Sequence, residues 1–363
     1  MSGVAACERC LRRAWLVGRL AGHIEPVRAR VTELLALGDE DLLAALGGDR
    51  RNEVADALAR FDAGEYRRQA ASAGLALLCR CARQYPIRLA ELRNAPAVLH
   101  IAGDADRFLS LAAGDPVAIV GARRGSPYGR EVASSLARAL ATAGVTVVSG
   151  MALGIDGAAH RGALDRAPAT IAVLPSGADR AYPAGARALY RRIVREAAAV
   201  SELPPGCASW RWTFIARNRI IAGLAAMTVI VEATDRSGAL TTARVARELG
   251  RPVGAVPGNV TSPLSAGPND LLAGGATLVT GAQKVLDELF GVGVRQAAGA
   301  GPVAPLPPDL RALKELIGAG LGGADALREA DIDPSDGLAA FASLELAGHI
   351  RRGPGGRYTV VMA

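Results

Sequence analysis

Apolar positions fall into three regimes along the chain. Over residues 1–75 they recur at helical intervals: Trp15, Leu16, Leu20, Val27, Val31, Leu34, Leu35, Leu42, Leu43, Leu46, Val54 and Leu58, punctuated by Gly38 and Gly47-Gly48. That pattern predicts a small helical domain of the SAM or helix-hairpin-helix kind. Residues 76–112 lose the periodicity. Tyr85-Pro86 and Ala95-Pro96 signal extended or turning backbone, because a residue before proline is pushed out of the helical region. This stretch reads as a connector.

From 116 to 290 short apolar runs alternate with Ala-rich amphipathic stretches. The runs are Pro116–Gly121, Val145–Gly150, Thr170–Leu174, Ala199–Leu203, Met227–Ala233, Val253–Val256 and Thr277–Val279. Helices are predicted near 129–143, 156–166, 184–197, 214–224, 239–249 and 282–290. Strand and helix alternating at this rhythm predict the α/β class, with a Rossmann-like, doubly wound and mostly parallel sheet over 113–292. Residues 293–308 are rich in Gly, Ala and Pro and read as a linker. Over 309–363 the pattern predicts a helix at 309–318, another at Ala324–Ala330, a turn at Asp331–Ser335 and a third helix at Gly337–Ala347. Two short strands around the Gly-rich 353–356 tip complete the outline of a winged helix.

Composition changes this picture modestly. The chain has 363 residues, 42 basic against 35 acidic, for a formal charge of +7. Only Lys284 and Lys314 are lysines, so the basic set is almost wholly arginine. Coding bias accounts for most of that, yet arginine is also the better fork for phosphate, so a polyanion partner is permitted. No run reaches the roughly 18 apolar residues of a membrane span. Glu8, Arg9, Arg12 and Arg13 interrupt any signal-peptide core. The expectation is a soluble cytoplasmic protein without a cofactor. Five cysteines are an odd and sparse set, which suits reduced thiols.

The candidate chemistry lies at the strand ends. The first run leads into Gly121-Ala122-Arg123-Arg124-Gly125-Ser126-Pro127-Tyr128-Gly129, a glycine-rich turn before a helix. Such a turn points backbone N–H groups toward an anion. It is neither GxGxxG nor a Walker A loop. The second run ends in Ser149-Gly150, where a dinucleotide fold carries an acid, so a nicotinamide cofactor is disfavoured. Beyond it come Gly154-Ile155-Asp156 and His160. Asp156 and His160, four apart, share a helix face; an Asp–His pair and two separate structural roles are both open. The third run leads to Gly177-Ala178-Asp179 and Tyr182-Pro183. Then Trp210-Arg211-Trp212-Thr213-Phe214-Ile215-Ala216-Arg217-Asn218-Arg219 interleaves aromatics with arginines. Arginines for phosphates and aromatics for bases are the two parts of a single-strand binding surface. A helix with core aromatics and solvated arginines has the same composition. Glu232 and Ser237-Gly238-Ala239-Leu240-Thr241-Thr242 lie at the last strand ends. Glu232 reads equally as an acid/base group or as a carboxylate bound to backbone N–H groups.

In this order the motifs resemble the DNA-processing protein A (DprA/Smf) family. The resemblance runs through roughly 85–290: Tyr85-Pro86, Gly121-Ala122-Arg123, Ser149-Gly150, Gly154-Ile155-Asp156, Ala159-His160, Gly177, Asp179, Tyr182-Pro183, Ser201-Glu202, Phe214, Arg217-Asn218-Arg219-Ile220-Ile221, Glu232-Ala233, Ser237-Gly238, Thr241-Thr242 and Pro257-Gly258. It implies a Rossmann-like domain that binds single-stranded DNA without catalysis, forms a homodimer and helps load a RecA-type recombinase in natural transformation. By the same match Gly121, Arg123, Ser149, Gly150, Arg217 and Asn218 lie near DNA, with Phe214 stacking. Ala122, Gly154, Asp156, Gly177, Arg211, Ser237, Gly238 and Thr241 complete the candidate DNA- and phosphate-binding set. The chain departs from the family at Ile215, where proline is frequent, and at Ala186, where asparagine is frequent.

Two rival readings are weaker. Lysine-decarboxylase-like phosphoribohydrolases carry Pro-Gly-Gly-x-Gly-Thr-x-x-Glu, but the residues three past Thr241 and Thr242 are Arg244 and Val245, so the catalytic acid is missing. A sequence-specific regulator would read bases from 337–347, which is poor in Arg, Asn and Gln. Finally, Cys7-x-x-Cys10 and Cys79-x-Cys81 could close a four-thiolate zinc site between the helical domain and the connector. The one-residue gap in the second pair is tight, and reduced thiols are the favoured reading.

Overall fold

The predicted runs form strands, and most are buried on both faces. They are β3 (Val117–Val120), β4 (Val147–Ser149), β5 (Thr170–Val173), β6 (Ala198–Ser201), β7 (Met227–Ile230) and β8 (Val253–Ala255), every residue buried, with β9 (Thr277–Leu278) at the edge. Continuous apolar runs of this kind are what a parallel sheet covered on both faces demands. This computed structural model describes residues 6–297, 306–346, 349–353 and 356–360. Of the predicted linker, residues 298–305 lie outside the described residues. So do Ala347, the predicted end of the third C-terminal helix, and Pro354-Gly355 of the predicted tip.

With β1 at Leu75–Cys79 and β2 at Val98–Gly103, the nine-stranded sheet has the order β1-β2-β6-β5-β4-β3-β7-β8-β9. From β6 to β9 the strands are parallel. The chain winds outward from β3 through β4 and β5 to β6, then crosses back to lay β7 on the other side of β3. The carboxyl ends of β3 and β7 are therefore the switch point, where connections diverge and leave a crevice.

The stretch 76–112 is not merely a connector. It holds most of β1 (Leu75–Cys79) and all of β2 (Val98–Gly103), which extend the sheet antiparallel beyond β6. A helix at Ala105–Ala113 follows, capped by the Asp104 carboxylate on the Arg107 N–H. His100, wholly buried in β2, meets the Tyr66 hydroxyl at 2.8 Å and the Ser201 carbonyl at 3.2 Å. Burial pushes its pKa down to about 4, so it is neutral.

Residues 8–72 are largely helical, with segments at Glu8–Arg19, Asp39–Leu46, Arg51–Ala59 and Ala63–Ser72 among them. Their apolar face packs around Leu203, Trp212 and Ala216 of the α/β body. Met1–Arg295 accordingly forms one compact unit. The helix predicted near 214–224 begins at Arg211, and the one near 129–143 begins at Pro127 under a Ser126 cap. A helix at Ala266–Ala273 was not predicted.

The second unit, Gln296–Ala363, has its own small core. Helices Pro308–Gly318, Gly323–Glu329 and Pro334–Leu346 precede the antiparallel pair β10 (Ile350–Arg352) and β11 (Tyr358–Val360). Leu313, Ile317, Leu327, Phe341, Leu344 and Ile350 are buried together, and Phe341 stacks on Tyr358 at 4.2 Å.

Candidate functional site

At the switch point the turns after β3, β4 and β7 meet helix Arg211–Leu224 around a cleft of about 240 Å³. Nine predicted residues line it: Gly121, Arg123, Asp156, Phe214, Arg217, Asn218, Ser237, Gly238 and Thr241. Ala152, Ile215 and Thr242, outside the predicted binding set, line it too. The charged residues of the lining are two arginines and one aspartate.

Arg217 is the buried arginine of the two, 5% exposed. Its Nη1 lies 3.6 Å from Asp156 Oδ2, a pair buried on both sides. Its Nε has no hydrogen-bond partner among the described residues. Burial pushes the Asp156 carboxyl up, against the pull of Arg217, and burial also lowers the Arg217 guanidinium. A guanidinium nevertheless keeps its proton in proteins. The guanidinium fits because residue 150 is glycine: a Cβ there would lie 1.0 Å from Nη1.

Arg123 is exposed on the turn after β3, with its guanidinium 4.5 Å from the Phe214 ring centroid. Phe214 meets Tyr182 edge-on, centroids 5.2 Å apart. The ring expected to stack on a base thus carries a cation, an arrangement worth about 0.5–1 kcal/mol at an exposed site. Arg123 also lowers Arg217 further by like charge. An anion between them would relieve that repulsion.

The glycine-rich turn itself does not offer its helix N-terminus to a ligand. The Glu232 carboxylate accepts from both the N–H and the hydroxyl of Ser126, directly before helix Pro127–Thr142. A carboxylate at a helix N-terminus satisfies the unpaired donors and the dipole from inside the fold. Glu232 is therefore a carboxylate bound to helix-terminal donors, and the anion-cradle expectation for this turn is corrected.

Other predicted residues build the cleft rather than line it. Ser149 is wholly buried and donates to the Ile119 carbonyl at 2.6 Å, so its hydroxyl joins β4 to β3. Ala122 bridges by backbone, donating to the Glu232 carbonyl at 2.6 Å and accepting from the Ile155 N–H at 3.2 Å. Gly154 stands at φ +78°, where a Cβ would lie 2.3 Å from the Ala122 carbonyl oxygen. Among the lining residues, Asn218 Nδ2 donates to the Gly238 carbonyl at 3.0 Å, fixing one wall to the other. Gly177 and Arg211 are not among the residues lining the cleft. Gly177 donates to the Cys207 carbonyl instead, and Arg211 is exposed in the first turn of its helix.

Asp156 and His160 do not pair. His160 Nδ1 meets Thr170 Oγ1 at 2.7 Å, and that hydroxyl donates to the Val147 carbonyl at 2.8 Å. The hydroxyl therefore accepts from Nδ1–H. Burial, helped by Arg217 and Arg161, presses the His160 pKa down to about 3. A second buried ion pair, Arg219 to Glu202 at 2.6 Å, faces away from the cleft. The four cysteines come together after all: the sulfurs of Cys7, Cys10, Cys79 and Cys81 all lie within 4.8 Å of one another. Among the described residues no helix is long and apolar enough to cross a membrane.

This architecture and these motifs have known counterparts. The family model for DNA recombination-mediator protein A matches residues 76–290. A putative DNA processing protein DprA of Mycobacterium tuberculosis is 43% identical over 260 residues, spanning 70% of this chain and 66% of the relative, just under two thirds. DNA processing protein DprA of Bacillus subtilis is 36% identical over 207 residues, 57% of this chain and 69% of that protein. The X-ray structure of DNA processing protein A from Streptococcus pneumoniae superposes with a TM-score of 0.63 at 31% identity, over 78% of this chain and 99% of that one. DNA processing protein A from Helicobacter pylori, solved for its single-stranded DNA binding mode, gives 0.51 at 31% identity, over 56% and 91%. The chain belongs to the DNA recombination-mediator protein A (DprA/Smf) family.

Proposed function

We propose that the switch-point cleft binds the backbone of single-stranded DNA, largely without regard to sequence. The observation that carries this is the arginine pair: Arg217, buried and charged, and Arg123, exposed on Phe214, open onto one cleft with a single carboxylate among its lining residues. Guanidinium forks suit phosphate oxygens. Phosphate contacts carry no base code, so specificity is low. Phe214 and Tyr182 offer aromatic surface to a base when Arg123 swings onto a phosphate. The single-stranded DNA binding of the Helicobacter pylori relative supports the reading.

The chain acts as a binder rather than an enzyme. Ser149, His160 and Glu232, the groups that could carry acid/base or nucleophilic work, are each committed to internal hydrogen bonds. Bound strands are passed to a RecA-type recombinase during DNA uptake in the cytoplasm, and the Rossmann-like body pairs with a second copy of itself. The second unit acts as a winged helix in packing or partner contacts. Gel retardation of a ~30-nucleotide single strand at low salt tests the reading, a length covering a few sites of the ~4–16 nucleotides usual for single-strand binders. Retardation of the single strand in preference to the duplex is expected. Equal or absent retardation sinks the proposal.

A further inference from the structure

The four-cysteine cluster has no part in the cleft and needs its own account. Two of its members, Cys7 and Cys81, are exposed, where packing gives no reason for cysteine; Cys10 and Cys79 are buried. The two pairs are separated by some seventy residues of chain, yet all four sulfurs lie within 4.8 Å of one another. Cys10 Sγ and Cys81 Sγ are 3.6 Å apart. Four sulfurs at about 2.3 Å from a tetrahedral zinc stand roughly 3.8 Å apart, whereas a disulfide needs about 2.05 Å.

Each pair presents its sulfurs by ordinary backbone geometry. Cys7 is the N-cap of helix Glu8–Arg19 and Cys10 lies in its first turn, three residues on and on the same face. Cys79 ends β1, and the turn that follows, closed by the Ala82 N–H on the Cys79 carbonyl at 2.9 Å, brings Cys81 back beside the other sulfurs. The turn thus accommodates the one-residue gap. Two of the sulfurs already face donors. The Cys7 N–H donates to Cys79 Sγ at 3.5 Å, and Arg9 Nη2 donates to Cys81 Sγ at 3.5 Å. The helix N-terminus adds partial positive charge.

We propose that Cys7, Cys10, Cys79 and Cys81 bind one zinc ion in a closed, structural four-thiolate site. All four positions are filled by protein, so the site leaves no coordination position for chemistry. Its work is to clip the first helix of the N-terminal segment to the end of β1. Binding exchanges thiol protons for the metal, with no change in oxidation state.

The test is metal analysis of the full chain, purified without chelator or added metal. One zinc per chain is expected. A mercurial that modifies the cysteines should release that zinc in step with four thiols. Cys10→Ser and Cys81→Ser should each lose at least nine tenths of it, and removing zinc from the wild type with a strong chelator should lower its melting temperature. A wild-type chain that carries no zinc and takes none up overturns the proposal. So does one iron per chain, or a Cys10–Cys81 disulfide in protein purified under reducing conditions. The wild-type measurements stand even if a serine variant fails to fold.

Discussion

After β3, the glycine-rich turn leads to a helix N-terminus that already holds an anion, the Glu232 carboxylate on Ser126. The other face of that turn carries Arg123, which with Arg217 flanks an open cleft with only Asp156 behind them. Both regions look alike in sequence: small residues at a strand end, then a helix. One is neutralised from within and serves the fold. The other keeps more positive than negative charge among its lining side chains, the property on which the proposed DNA binding rests. The difference teaches that a glycine-rich turn is evidence for an anion, but not for an external one.

The comparison breaks most sharply at Arg217. Arg217→Ala leaves Asp156 buried without its cation, which should cost about 3–5 kcal/mol of stability in chemical denaturation. Single-strand affinity should fall at least tenfold, about 1.4 kcal/mol. Adding Asp156→Ala to that variant should restore much of the stability and none of the DNA binding. If the double variant binds normally, the cleft is not the site. Gly150→Ala should reproduce the binding loss without touching a charge, because its Cβ takes the space of Nη1.

Glu232→Gln tests the other side. Loss of a charged acceptor at a helix N-terminus should destabilise by about 1–3 kcal/mol. Single-strand affinity should stay within about twofold. A strong binding defect with an unchanged fold, read by titration of labelled strand, would mean that Glu232 faces the ligand after all.

The pH dependence of stability probes the sheet behind both regions. His160 and His100 titrate near 3 and 4 in the folded chain, below the 6.5 of an exposed histidine. The unfolded chain then binds more protons between those values, so stability is fully present above pH 6.5 and is lost as pH falls toward 3–4. Each histidine contributes up to about 1.4 kcal/mol per pH unit in that window. Melting temperature should drop from pH 7 to pH 5, and less steeply in His160→Gln. A flat profile would contradict the buried neutral assignment.

Much of the fold was legible because β3 to β8 are continuous buried runs between glycines. β1 and β2 were not. Leu75–Cys79 follows helix Ala63–Ser72 after a single Gly74, and β2 carries His100 at its centre, so neither shows a clean period. Helix Ala266–Ala273 opens on Gly267-Pro268-Asn269, which reads as a turn. In the site, the helix 211–224 was readable but its facing was less so. At 100° per residue Arg217 and Arg219 point to nearly opposite sides; only the packed structure tells that Arg217 enters the cleft and Arg219 pairs with Glu202. Glu232 was ambiguous because its partner, Ser126, lies over a hundred residues away.

The central claim is that the two arginines meet phosphate, and Arg123 is the cleaner probe because it is exposed and not part of the buried pair. The direct measurement is single-strand affinity across a salt series for wild type and Arg123→Ala. The account predicts weaker binding and a log–log salt slope shallower by about 0.7, the value of one phosphate contact on a single strand. Equal affinity with an unchanged slope would remove Arg123 from the DNA path and contradict the cleft as its site.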